Sequence, residues 1–161
     1  IGEVGLDFTD KTYQADQVSF FSELVQRCRK DENKIISIHS RKAEREVLDV
    51  LDDAFSFKAI LHWYSGDESL LNRAVKMGCY FSVNGNMLKS RKIERMLEIV
   101  PKNRILLETD SPFGDTIKSH AESLKILIDG LSPKYVMLAE KIEEILWNNF
   151  QELLCGYENL K

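Results

Sequence analysis

Short apolar runs alternate with helix-period stretches along this chain, and that alternation limits the folds open to it more than any other feature. Residues 1–4 predict a strand ending at Gly5. Residues 14–30 predict a helix, because Val18, Phe21, Leu24, Val25 and Cys28 fall three or four apart on one face. Residues 34–39 predict a strand whose nearly continuous Ile35, Ile36 and Ile38 suit burial on both faces, as in a parallel sheet. Helical spacing returns over 42–54 with Val47, Val50, Leu51 and Ala54. The cycle then repeats. A strand at 58–62 precedes a helix capped by Asp67 and ended by Gly78. A strand at 79–83 precedes a helix over 89–100, stopped by Pro101. A fifth strand covers 104–109. After a loop around Pro112 and Gly114 the chain reads as helical to its end, with Ser132-Pro133 predicting a break between two helices.

Five strand–helix units in a row predict an α/β fold with a parallel sheet in a single domain, 1–161. Two architectures satisfy this: an open doubly wound sheet, and part of a (β/α)8 barrel. Gly2-Glu3-Val4-Gly5 is neither a dinucleotide fingerprint nor a phosphate loop, which counts against a nucleotide-binding open sheet. A complete barrel needs roughly 250 residues. The chain has 161 residues and opens within an apparent strand. The expectation is therefore the C-terminal five-eighths of a barrel, with three N-terminal units missing.

Composition narrows the function. The 43% hydrophobic content excludes a disordered chain. With 22 basic against 26 acidic residues the net charge is −4, which argues against a nucleic-acid coat or a basic membrane binder. It leaves room for an enzyme with a local basic rim. No apolar run approaches the ~20 residues of a membrane-spanning helix. Cys28, Cys79 and Cys155 are far apart and odd in number, so they predict buried thiols in a reducing, cytoplasmic setting and no disulfide framework.

The chemistry-bearing residues stand at strand ends. Glu3 lies in the first strand, His39 ends the second, His62 ends the third, and Asp110 follows the fifth. Active sites of parallel α/β folds form at the C-terminal strand edge. Two imidazoles and two carboxylates converging there make a ligand set for a divalent cation. Each residue alone has an ordinary reading: a hydrogen-bonded packing histidine, an edge carboxylate, or a turn cap before Pro112. Taken together, four metal-competent side chains at equivalent positions favour a metal site.

Four local sequences carry a resemblance. Ile1-Gly-Glu-Val-Gly-Leu-Asp7, Ile38-His-Ser-Arg41, His62-Trp-Tyr-Ser-Gly66 and Leu107-Glu-Thr-Asp-Ser-Pro112 resemble, in order and spacing, the signatures of the TatD family. That family comprises metal-dependent deoxyribonucleases of the amidohydrolase superfamily. Asn148-Asn149-Phe150 is similar to its closing Asn motif, and His-Trp-Tyr-Ser-Gly looks like the QatD branch of anti-phage systems. The resemblance implies a TIM barrel with a one- or two-metal hydrolytic centre. On the matching positions Glu3 is implied as a bridging, catalytic carboxylate, with His39 and His62 completing one metal site. Asp110 is implied to bind the other metal and to accept a proton from the attacking water. The family's opening His-x-His strand is not in this chain. The expectation is thus one ion at most for the chain alone, of Mg, Mn or Zn, with weak or no hydrolysis.

Further candidates follow from position. Arg41 suits a phosphate clamp, against the alternative of an ion pair with a neighbouring acid. Trp63 and Tyr64 suit base stacking, or core packing beneath the site. Lys89, Arg91 and Lys92 suit the rim of a substrate cleft, or a solvated helix start. Ser65 and Glu108 suit orientation of ligands or water, or loop hydrogen bonding. Asp7 reads as loop-shaping and His120 as surface. The leading expectation is a hydrolase of DNA phosphodiesters, acting on single strands or ends. The alternatives are hydrolysis of amides or esters, and a non-catalytic barrel-derived subunit with protein partners, including a defence complex.

Overall fold

The computed structural model describes residues 1–30, 33–52, 55, 58–111, 113 and 119–155, without the side chain of Cys155. Ala54, Pro112 and Gly114, used above as helix and loop markers, lie outside the described residues. The elements are β1 (Val4–Gly5), α1 (Gln14–Cys28), β2 (Ile35–His39), α2 (Glu44–Leu51), β3 (Lys58–Leu61), α3 (Glu68–Lys76) and β4 (Tyr80–Val83). They continue with α4 (Gly85–Leu88), α5 (Lys92–Ile99), a 3₁₀ turn (Lys102–Arg104), β5 (Ile105–Leu107), α6 (His120–Tyr135) and α7 (Ala139–Cys155).

The strands form one sheet in the order β1-β2-β3-β4-β5, and the pairs β1–β2, β2–β3 and β3–β4 are parallel. A doubly wound open sheet reverses its strand order at a switch point. This order never reverses, which is the winding of a (β/α) barrel. The topology therefore decides between the two architectures left open by the sequence.

By its contacts the chain divides into two compact units, Ile1–Phe81 and Ser82–Lys161. In the first, α1 buries Phe21, Val25 and Cys28, with Val18 and Leu24 half-buried beside them. Burying each large apolar side chain contributes about 1.5–3 kcal/mol. Along β2, Ile36 and Ile38 are buried, while Ile35, Ser37 and His39 are only half-buried. Burial on both faces, expected of β2, is found instead along β4, where all four residues are buried. Asp67 caps α3, accepting from the Leu70 N–H at 2.9 Å, as its sequence position predicts. Cys28 and Cys79 are buried and make no disulfide.

In the second unit two expectations need correction. The helix expected over 89–100 spans only Lys92–Ile99, and a separate short helix that was not expected, Gly85–Leu88, comes before it, so two helices follow β4. Asn84 starts the first by accepting from the N–H groups of Asn86 and Met87, both at 3.1 Å. The break expected at Ser132-Pro133 falls later, because α6 runs through Pro133 to Tyr135. Proline costs the helix one main-chain bond there. The end comes at Val136, whose φ of 52° is left-handed; the N–H groups of Val136 and Met137 return to the carbonyls of Pro133 and Ser132. Ser119 caps α6 in a reciprocal pairing with Glu122, and His120 is exposed, as expected.

Asn149, in the closing Asn motif, is a fastener. It is buried, and its Nδ2 donates to the carbonyls of Lys102 and Ile105, each at 2.7 Å. One side chain thus ties α7 to the start of β5. Asn149→Ala leaves these carbonyls without that donor. It is expected to cost about 2 kcal/mol of stability, read as a lowered midpoint in chemical denaturation.

Candidate metal centre

The centre is built by three neighbouring strands of the first unit. β1 runs beside β2 with Val4 opposite Ile38 and Gly5 opposite His39. Main-chain bonds extend this pairing at both ends. Ser37 N–H donates to the Ile1 carbonyl at 2.9 Å, Leu6 N–H to the His39 carbonyl at 2.9 Å, and Phe8 N–H to the Arg41 carbonyl at 3.0 Å. β3 lies on the other side of β2, and the His62 N–H donates to the Ile38 carbonyl at 3.0 Å. Glu3, His39 and His62 are carried to one place by this ladder.

Their ligand atoms all lie within 4.8 Å of one another. Glu3 Oε1 is 2.7 Å from His39 Nδ1 and 3.7 Å from His62 Nε2. The two imidazole rings stack with centroids 6.3 Å apart and planes 29° from parallel. His62 is the most enclosed, its side chain 11% exposed against 32% for His39 and 43% for Glu3. Two ligand atoms of one zinc ion at ~2.1 Å each stand at most ~4.2 Å apart. The observed spread therefore needs only small side-chain movements to close on an ion. Two imidazoles and one carboxylate suit a borderline or hard divalent cation. On donor chemistry and spacing, these residues fit a metal.

Gly5 is required where it stands. Its φ is 155°, and a Cβ built on it would overlap the His39 carbonyl oxygen. Only a residue without a side chain lets β1 approach His39 this closely.

Asp7 does more than shape its loop. One carboxylate oxygen accepts from the Thr9 N–H at 2.8 Å and from the Thr9 hydroxyl; the other lies 3.2 Å from His39 Nε2. Partial burial works to raise the Asp7 pKa, but the Thr9 donors and then His39 outweigh it and hold the carboxyl below the ordinary aspartate value. No local pattern signals the His39 contact, because Asp7 and His39 are 32 positions apart.

The remaining candidates divide by unit. In the first, Arg41 is exposed, and its guanidinium has no ion-pair partner among the described residues. Trp63 is half-buried with a left-handed φ of 40° directly after His62. Tyr64 is 6% exposed and packs edge-on against Phe81, with centroids 5.8 Å apart. Its ring is core, so the base-stacking role considered for it is corrected. Burial pushes its phenol pKa up, helped by the charges of Glu44 and Asp67. Ser65 donates to Glu44 at 2.8 Å, an ordinary loop bond.

In the second unit, Lys89, Arg91 and Lys92 are exposed around the start of α5. Glu108 accepts from Asn84 Nδ2 at 3.0 Å and from the Ser82 hydroxyl, so it braces the ends of β4 and β5. Asp110 follows β5, half-buried, with a left-handed φ of 49°.

Comparison with known proteins places this geometry. The family model described as TatD related DNase matches residues 1–155. The deoxyribonuclease TATDN3 of Homo sapiens is 30% identical over 169 aligned positions, covering all of this chain and 60% of that protein. An uncharacterized metal-dependent hydrolase of Methanocaldococcus jannaschii is 27% identical, covering 92% of this chain and 59% of its own length. Among solved structures, a TatD family hydrolase of Entamoeba histolytica superposes with a TM-score of 0.81 at 17% identity, over 97% of this chain and 63% of that one. The TatD homolog YJJV of Escherichia coli superposes with a TM-score of 0.80 at 23% identity, over 94% and 62%. The chain thus spans about 60% of the length of these relatives.

Gly5→Ala is expected to push β1 off β2 and to destabilise the first unit by about 2–4 kcal/mol, as steric overpacking and a disfavoured φ combine. Thermal unfolding followed by circular dichroism checks this.

Proposed function

This chain belongs to the family of TatD-related DNases, and from that premise we propose that it carries the metal-holding part of a metal-dependent deoxyribonuclease. The observation that supports this most directly is the convergence of Glu3, His39 and His62 from three adjacent strands. These three residues would hold one divalent cation, Mg, Mn or Zn. When bound, such a cation lowers the pKa of water toward neutrality and polarises a phosphoryl oxygen.

The protein's own groups do the rest. Asp110 would accept the proton of the attacking water and, in a two-metal site of the family kind, would supply one ligand for the second metal, which this chain alone does not complete. The exposed guanidinium of Arg41 lies past the end of β2 and donates its paired N–H groups to phosphate oxygens. This fork favours a phosphodiester over an amide or ester, since neither of those presents matching anionic oxygens. Trp63, next to His62 in sequence, offers a ring face to a base, which is tolerant of sequence and favours unpaired strands or ends. Lys89 and Arg91 add positive charge for an anionic substrate, in a protein whose net charge is −4. A place in anti-phage defence, with protein partners in a complex, completes the reading; it rests on the His62-Trp-Tyr-Ser-Gly66 segment. No helix among the described residues is long and apolar enough to cross a membrane.

Two experiments test this. In the full-length protein, His62→Ala is expected to reduce metal-dependent cleavage of single-stranded DNA by more than about 100-fold. Undiminished cleavage would reject the site. Calorimetric titration of this chain alone with Zn²⁺ is expected to find one tight site. Two tight sites per chain would contradict the one-ion reading.

A further inference from the structure

We infer that Asp7 is a positioning residue for the metal centre, fixing the ring orientation and tautomer of His39 through the ring nitrogen that does not face Glu3. The inference rests on the metal-binding reading above and assigns a role that the ligand set alone does not require. The two nitrogens of His39 face different carboxylates: Nδ1 lies 2.7 Å from Glu3 Oε1, and Nε2 lies 3.2 Å from Asp7 Oδ2. A neutral imidazole carries one N–H and one lone pair. With a cation on the Nδ1 lone pair beside Glu3, the single N–H of the ring would stand on Nε2 and donate to the Asp7 carboxylate. Histidines that ligate metals commonly donate their other N–H in this way, which raises ligand basicity and locks the ring.

Asp7 is itself held from several sides. Its main-chain N–H donates to Gln17 Oε1 at 2.8 Å, and its carbonyl accepts from Gln17 Nε2 at 3.1 Å. The neighbouring Leu6 and Phe8 are bonded to the His39 and Arg41 carbonyls, one on each side. Its second carboxylate oxygen is occupied by Thr9. The oxygen facing Nε2 therefore has little freedom to turn away. Asp7 contributes no atom to the three-residue ligand group, so its action on the ion passes through His39.

The test compares Zn²⁺ affinity, measured calorimetrically on this chain, across Asp7→Ala, Asp7→Asn and Thr9→Val. Asp7→Ala is expected to weaken binding by about 10–100-fold. Asp7→Asn keeps an oxygen that can accept from Nε2–H and is expected to recover most of that loss. Thr9→Val removes only the hydroxyl bond, keeps the main-chain N–H of residue 9 on the same Asp7 oxygen and leaves the His39 contact, and is expected to bind as the unmodified chain does. In the Zn²⁺-loaded unmodified chain, nitrogen NMR should show His39 protonated at Nε2. Unchanged affinity in Asp7→Ala, an equal loss in Thr9→Val, or a His39 protonated at Nδ1 would each overturn the inference. Failure of the unmodified chain to bind Zn²⁺ would instead overturn the metal centre itself. Zn²⁺ binding that survives Asp7→Ala unchanged would leave the centre standing and remove only this role.

Discussion

The centre depends on the pairing of β1 with β2, and that pairing depends on the main chain of Gly5 lying directly against His39. β1 has only two residues in ladder geometry. It holds its register because the flanking bonds from Ser37 to Ile1, from Leu6 to His39 and from Phe8 to Arg41 continue the contact with β2. A register shift of one residue would turn Glu3 to the other face of the sheet, since side chains alternate along a strand. The Glu3 oxygen would then be lost to both histidines. The cost of this arrangement is a residue without a side chain in the strand, which loses more conformational freedom on folding than any other.

Parallel pairing explains why donors from distant parts of the sequence meet. Each strand of a parallel sheet ends at the same edge, and the helical crossovers return the chain to the opposite one. His39 ends β2 and His62 follows β3, so two residues 23 positions apart in sequence become neighbours with ring centroids at 6.3 Å. Glu3 joins them from the strand on the far side of β2. The second unit, taken by itself, spends its polar side chains on fastening strands. There Asn84 and Ser82 bring their donors to Glu108, while Asn149 secures the start of β5. Buried polar groups of this kind stabilise chiefly when each finds its partner.

Much of this was legible in the residues. The helix period of α1, the Asp67 cap of α3, and the strand-end positions of His39 and His62 all follow from local pattern. Other features were not. The break near Ser132-Pro133 was misplaced because a proline near a helix end removes only one bond, whereas the left-handed turn at Val136 is set by the carbonyls it must satisfy. Tyr64 read equally as a stacking platform or as core. Its edge contact with Phe81, 17 residues away, made it core.

The sequence by itself determined the class of fold and the identity of the metal-competent residues, because periodicity and residue chemistry are local properties. Tertiary structure alone decided three things. It wound the strands in unreversed order, which separates a barrel segment from an open sheet. It closed Glu3, His39 and His62 to within 4.8 Å. It also set Asp7 behind His39, a contact between residues 32 positions apart. Each of these is a relation between strands, fixed by hydrogen-bond register and close packing, and none of the three is written in any single stretch of the chain.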